Sequence, residues 1–371
     1  MGWSSHHKDG LIYHAPQNCY RGYTLLTTNG SNHVRLIDME GRVCHQWYYP
    51  ERLGYGYLLD NGNLLLRTIS SRAGGQRSDA GPRSGAIVEL DWDGVQVWRY
   101  ENPLLHHDFD RLPNGNTLVL LFEPLDPELA ASIKGGAPNA DRDVEMLGDM
   151  VEEITPEGET VYSWRSWDHL DPESDEICFL ENREEWTHQN SLRTTPEGDL
   201  IVSFRRTDTV GIVDRETGDW KWKWGPGQIS HQHYPNMLGN GNILLFDNGC
   251  HRPGFTFSRA VEVDPNTSEV VWEYKGDPPI SFYSFHISGA DRLPNGNTLI
   301  CEGAPGRVFE VTPNQEIVWE YMNPEYVYSV RDASRANSLF RAHRYGPDHP
   351  ALAGRDLEPG RYAGLNRLYG G

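Results

Sequence analysis

Gln228-Ile-Ser-His-Gln-His-Tyr-Pro-Asn-Met-Leu-Gly-Asn-Gly-Asn-Ile-Leu-Leu-Phe-Asp-Asn-Gly249 carries three signals in a row. His231 and His233 stand two residues apart, Gly239-Asn-Gly-Asn242 is a turn, and Ile243 to Phe246 is an apolar run. Side chains alternate along an extended chain, so a strand here turns both imidazoles to one face. Asn-Gly supplies the positive φ that a tight reversal requires, so the stretch reads as a hairpin.

The unit recurs. Asp60-Asn-Gly-Asn63, Pro113-Asn-Gly-Asn116, Pro196-Glu-Gly-Asp199 and Pro294-Asn-Gly-Asn297 each precede an apolar run. Eight residues before the turns stand Arg52, Leu105, His188, His231 and His286; six before them stand Gly54, His107, Asn190, His233 and Ser288. Histidine thus returns on one face of one strand in repeat after repeat.

Between hairpins runs a second unit, a strand, a polar turn and a strand ending in Trp47, Trp98, Trp164, Trp222, Trp272 or Trp319. The spacings of 51, 66, 58, 50 and 47 residues suit a four-stranded blade as the repeat. An all-β, six-bladed β-propeller is therefore expected, a single domain over residues 1–371. Its blades fall at about residues 20–50 plus 326–346, 52–100, 105–165, 186–225, 229–275 and 284–322. The first lacks an inner strand, which the segment Tyr328 to Tyr345 can supply, so that the N- and C-terminal parts of the chain pair and close the ring. Two insertions interrupt the period. Residues 124–149 hold a helix-compatible piece from Pro127 to Lys134, and residues 165–186 form an acidic crossover that reads as a lid over the histidine end of the channel.

A net charge of −20 on 371 residues argues against nucleic acid or an anionic membrane as partner. The first ten residues have no apolar signal-peptide core and no window approaches a membrane span, so a cytoplasmic protein is expected. Cys19, Cys44, Cys178, Cys250 and Cys301 are odd in number and lack Cys-x-x-Cys spacing, and read as buried apolar fillers.

First strands line a propeller's channel, so His107, His188, His231, His233 and His286 are expected near one end of it. Arg205 and Arg206 follow the His188 hairpin, and neighbours on a strand take opposite faces, so one of the two guanidinium groups points inward as an anion holder. The spacing does not say which.

His107-Asp-Phe with its Leu-Pro-Asn-Gly-Asn, His188-Gln-Asn190, Ser203-Phe-Arg205, Gln232-His233 and Arg307-Val-Phe-Glu-Val-Thr-Pro resemble the six-bladed bacterial aryl-sulfate sulfotransferases over most of residues 20–345. The resemblance implies a histidine that takes a sulfuryl group from an aryl sulfate and passes it to a phenol, with no cofactor. It places His233 as that histidine, and His107, His188, Asn190 and Arg205 (or Arg206) as the groups around the sulfate; His231 and His286 are additions of this chain to that pattern and further substrate-binding candidates. Two other readings use the same propeller. His107, His188, His233 and His286 as ligands of Fe, Mn, Ni or Zn would serve a lyase, hydrolase or oxygenase, and a binding scaffold would be no enzyme at all. The substrate expected under the enzyme readings is a small aromatic or anionic molecule.

Overall fold

Each hairpin is seeded by its glycine. The computed structural model describes residues 8–69, 84–328 and 334–369, and in it Gly62, Gly115, Gly198, Gly241 and Gly296 take φ of 86° to 96°. The residues before them, asparagine in four turns and Glu197 in the other, are not left-handed, so each reversal has one positive φ, as in a turn closed by a glycine bulge, not the two of a type I′ turn. That asparagine instead accepts the amide two residues on, as Asn240 Oδ1 does from Asn242 (3.0 Å). The next asparagine then reaches a glutamate on the blade's third strand: Asn63 to Glu89 (2.7 Å), Asn242 to Glu262 (2.7 Å), Asn297 to Glu310 (2.6 Å).

Six blade sheets result, five of four strands and one of five, and the chain is a six-bladed β-propeller. It divides into two compact units, one of residues up to Ile69, Ile87–Arg99 and from His286 onward, the other mainly Tyr100–Phe285. In the first unit, Leu339–Tyr345 pairs antiparallel with Tyr23–Thr28 (Tyr23 against Tyr345, Leu25 against His343), so the first blade does take its inner strand from the far end of the chain. The strand begins at Leu339; residues 329–333 of the expected segment lie outside the described residues. A second pairing was not visible in the sequence: Gly10–His14 adds a fifth strand to the last blade, against Ile317–Met322.

The recurrent tryptophan has a physical role. Its indole N–H crosses to the polar turn of the following blade: Trp47 to the Asp91 carbonyl (3.1 Å), Trp164 to Gly218 (3.1 Å), Trp222 to Ser268 Oγ (3.2 Å), Trp319 to Met39 (2.9 Å). Middle strands such as Leu200–Phe204 are buried along their whole length. Their side chains serve two clusters, one with Leu112, Leu118 and Trp164 of the blade before, the other with Ile229, Ile243 and Leu245 of the blade after. This is why the apolar runs do not alternate.

Both insertions belong to the second unit. The helix runs Pro127–Ser132, capped by Asp126, whose carboxylate accepts the amides of Glu128 (2.9 Å) and Leu129 (3.3 Å). The acidic crossover is not a loose lid. Ile177 bridges to Gly135 and Glu185 to Leu147, and Ile177 and Trp186 pack with Leu125, Ile133 and Met146 into a core that joins the two insertions. Among the described residues no helix is long and apolar enough to cross a membrane.

Candidate active site

The histidines of the second unit stand where inner strands begin, and there the backbone is left-handed: φ is 36° at His107, 53° at His188 and 59° at His231. Such residues cost roughly 1–3 kcal/mol each and persist only where the surroundings enforce them. Regular strand starts afterwards, at Gln189 and at His233. Face alternation therefore fails at these positions, and His231 and His233 meet different partners.

One group forms around His188. Its Nδ1 donates to Glu185 Oε2 (2.6 Å), and its ring lies edge-on to His107, centroids 4.5 Å apart. His107 Nδ1 shares a proton with His106 Nδ1 (3.0 Å), and His106 Nε2 faces Asp149 Oδ1 (3.4 Å). Thr187 donates to the other Asp149 oxygen. Burial pushes Glu185 up, but the His188 ring and the Arg206 guanidinium outweigh it and hold the carboxyl down to about 2. Asp149 goes the other way, raised by burial and by the Glu185 charge to about 7. Burial also keeps His188 below the ordinary histidine value, despite Glu185. A neutral ring that donates through Nδ1 is basic at Nε2.

A second group forms around His231. Its amide donates to Asp208 Oδ1 (2.8 Å), and its ring is held between Asp208 at Nδ1 (3.1 Å) and Glu181 at Nε2 (3.0 Å). Burial opposes charge on this ring, yet Asp208, Cys178 and Glu181 raise it to about 10. In the absence of another cation the protonated form of His231 is thus favoured. His251 stacks edge-on against it, centroids 4.5 Å apart, with Nδ1 3.4 Å from Cys178 Sγ. Burial would raise that thiol, but hydrogen bonds with His231 and His251 bring it down to about 6.

His233 is buried beside these groups in sequence but has its own partner. Its Nδ1 donates to Asn248 Oδ1 (2.7 Å), and Asn248 Nδ2 donates to the Ser284 carbonyl (2.8 Å), which fixes which end of the amide faces the ring. Nε2 is therefore the basic nitrogen of His233. The His188 and His233 strand starts are tied together, since Asn190 Nδ2 donates to the Gln232 carbonyl (2.7 Å). Gln232 in turn donates to the Phe204 carbonyl (3.1 Å), next to Arg205.

The two arginines separate. Arg206 is 2% exposed and donates to Asn182 Oδ1 (2.9 Å) and the Glu185 carbonyl (2.9 Å), holding the crossover in place. Arg205 is the more open, with Nη1 paired to Glu181 Oε1 (2.6 Å). His286 is half-buried and belongs to the first unit.

Several members escaped sequence reasoning: Glu181 and Glu185 on the crossover, His106, Asp149, Asp208, Asn248 and His251. The one available signal was the crossover's acidic run directly before His188. The cysteines also divide. Cys19, Cys44 and Cys301 are buried as expected, while Cys178 and Cys250 are half-buried and next to His251 in space or in sequence, so the filler reading fails for these two.

The arylsulfotransferase (ASST) family model matches residues 18–230. No curated protein matches the chain. Among solved structures, a protein of unknown function from Bacteroides caccae is 12% identical, with 87% of this chain and 98% of that one covered and a TM-score of 0.55. Virginiamycin B lyase from Staphylococcus aureus is 12% identical over 73% of this chain and 69% of its own, with a TM-score of 0.42. A streptogramin B lyase is 12% identical over 92% and 96%, with a TM-score of 0.48.

Proposed function

Because the chain belongs to the arylsulfotransferase (ASST) family, with more than half its length matched, we propose that it transfers a sulfuryl group from an aryl sulfate to a hydroxyl acceptor through His233. The observation that carries this reading is the locked His233 ring, Nδ1–H on Asn248 and Nε2 basic. In the first half-reaction Nε2 attacks sulfur, the bond from sulfur to the aryl oxygen breaks, and the phenolate departs with that electron pair. Arg205 binds the sulfuryl oxygens as charge spreads over them, and His107 flanks them. In the second half-reaction an acceptor hydroxyl gives its proton to Nε2 of His188, positioned by Glu185, while its oxygen attacks the sulfur on His233 and releases the ring.

Asn190 is a positioning residue under this reading, through its bond to the Gln232 carbonyl. An aromatic substrate suits the exposed apolar side chains that adjoin the second group in sequence: Phe179 and Leu180 beside Cys178, and Phe255 close to His251. Transfer from a nitrophenyl sulfate to a phenol by the purified chain is the direct test. Arg205→Ala is expected to lower turnover about 100-fold or more, the usual loss when a preorganised donor to a developing oxyanion is removed. Wild-type protein with no transfer to any phenol or alcohol tried would remove the reading.

A further inference from the structure

The second group contains an arrangement that sulfuryl transfer does not use. Cys178, His231 and His251 each offer one ligand-type atom, and these atoms all lie within 4.8 Å of one another. The three come from separate stretches: the crossover, the start of the fifth blade's inner strand, and the loop beyond that blade's first hairpin. We propose that they form a binding site for a divalent metal of the zinc class, closed by Glu181.

The distances fit. Bonds of about 2.0–2.1 Å to nitrogen or oxygen and about 2.3 Å to sulfur, at tetrahedral angles, put neighbouring ligand atoms roughly 3.3–3.6 Å apart. Here Cys178 Sγ is 3.4 Å from His251 Nδ1, Glu181 Oε1 is 3.0 Å from His231 Nε2, and Glu181 Oε1 is 3.9 Å from His251 Nδ1. These scatter around a tetrahedron's edges. The outer shell is in place as well: His231 turns Nε2 inward, and its Nδ1–H goes to Asp208 (3.1 Å), the carboxylate–histidine–metal arrangement that fixes a ligating tautomer. A thiolate with two imidazoles selects zinc, cobalt or a similar borderline ion over magnesium or calcium, which take oxygen ligands.

Charge points the same way. Cys178, Glu181 and Asp208 gather three acidic groups around two imidazoles, with Arg205 and, farther off, Arg206 on Glu181. The metal would cross-link the crossover to the fifth blade, a closed structural site and not the His107, His188, His233, His286 set that the sequence suggested. The inference stands whether or not His233 carries a sulfuryl group, because its readout is spectroscopic.

The test uses the full chain without a histidine tag, stripped with chelator and titrated with Co(II). One equivalent should bind with tetrahedral d–d bands and a near-ultraviolet thiolate-to-cobalt charge-transfer band, and Zn(II) should bleach both. Cys178→Ser should lose the charge-transfer band, and Asp208→Asn should weaken cobalt binding about 10–100-fold. Circular dichroism would report whether each variant is folded. Should Cys178→Ser not fold, the wild-type band and its displacement by zinc decide alone. No cobalt bound to wild type, cobalt bound without the charge-transfer band, or a band that persists in folded Cys178→Ser overturns the proposal.

Discussion

Glu185 and Arg206 show how single residues set the chemistry. Glu185 is wholly buried, yet its carboxyl is held down to about 2 against an ordinary value of 4.5. A depressed carboxyl stabilises the fold above its unfolded pKa, and that contribution is lost as pH falls from about 4.5 through about 2. Glu185→Gln removes the carboxylate that accepts the His188 Nδ1–H and lies in the field of the Arg206 guanidinium, a loss on the order of 3 kcal/mol. Melts at pH 6 should show that loss, and the gap to wild type should close as pH is lowered toward 3. A gap independent of pH would mean that Glu185 acts by packing alone. The arginines should separate likewise. Arg206→Ala should destabilise the protein, since Arg206 holds the crossover by its hydrogen bonds. Arg205→Ala should leave the melting temperature nearly unchanged while removing turnover. Sequence could name the Arg205–Arg206 pair but not divide it, because the division depends on Asn182 and Glu185, about twenty residues earlier.

At the scale of elements, the parts legible in the sequence are those encoded locally. The glycine of each turn, the asparagine reaching its blade's glutamate, and the tryptophan ending each outer strand recur with a fixed offset, so the blade count followed from them. The starts of the histidine strands were not legible. Positive φ at His107, His188 and His231 has no marker in residue type, and at His231 the amide is held by Asp208 from another stretch of the chain. How the crossover is anchored was not legible either: its length and its place before His188 suggest a lid, while its hold on the helix-bearing insertion comes from Ile177 and Trp186, both fully buried. Trp186→Ala should therefore cost about 3–5 kcal/mol in denaturant melts. It should also impair activity, since the loop carries Glu181 and Glu185. Wild-type stability in that variant would mean the crossover is peripheral after all.

For the whole molecule, both chain ends are structural parts of the first unit: Gly10–His14 on the last blade and Leu339–Tyr345 inside the first. The second is the stronger contribution, an inner strand with Leu339 and Phe340 buried and Arg344 paired to Glu310 in the blade before. Deleting residues 328–371 should abolish cooperative unfolding, followed by calorimetry; a truncated chain that melts as one sharp transition would show that the first blade stands without it. The six repeats announced this architecture, whereas the reaction is written in which side chains of distant blades meet.

The most direct measurement of that reaction is to mix protein with a slight excess of nitrophenyl sulfate, quench in alkali within the first turnover, and map the modified peptide by mass spectrometry. A stoichiometric burst of nitrophenol with one sulfuryl group on His233, both lost in His233→Ala and the group discharged by added phenol, is the predicted result. A burst with the group on another residue, or turnover by His233→Ala at the wild-type rate, would contradict it.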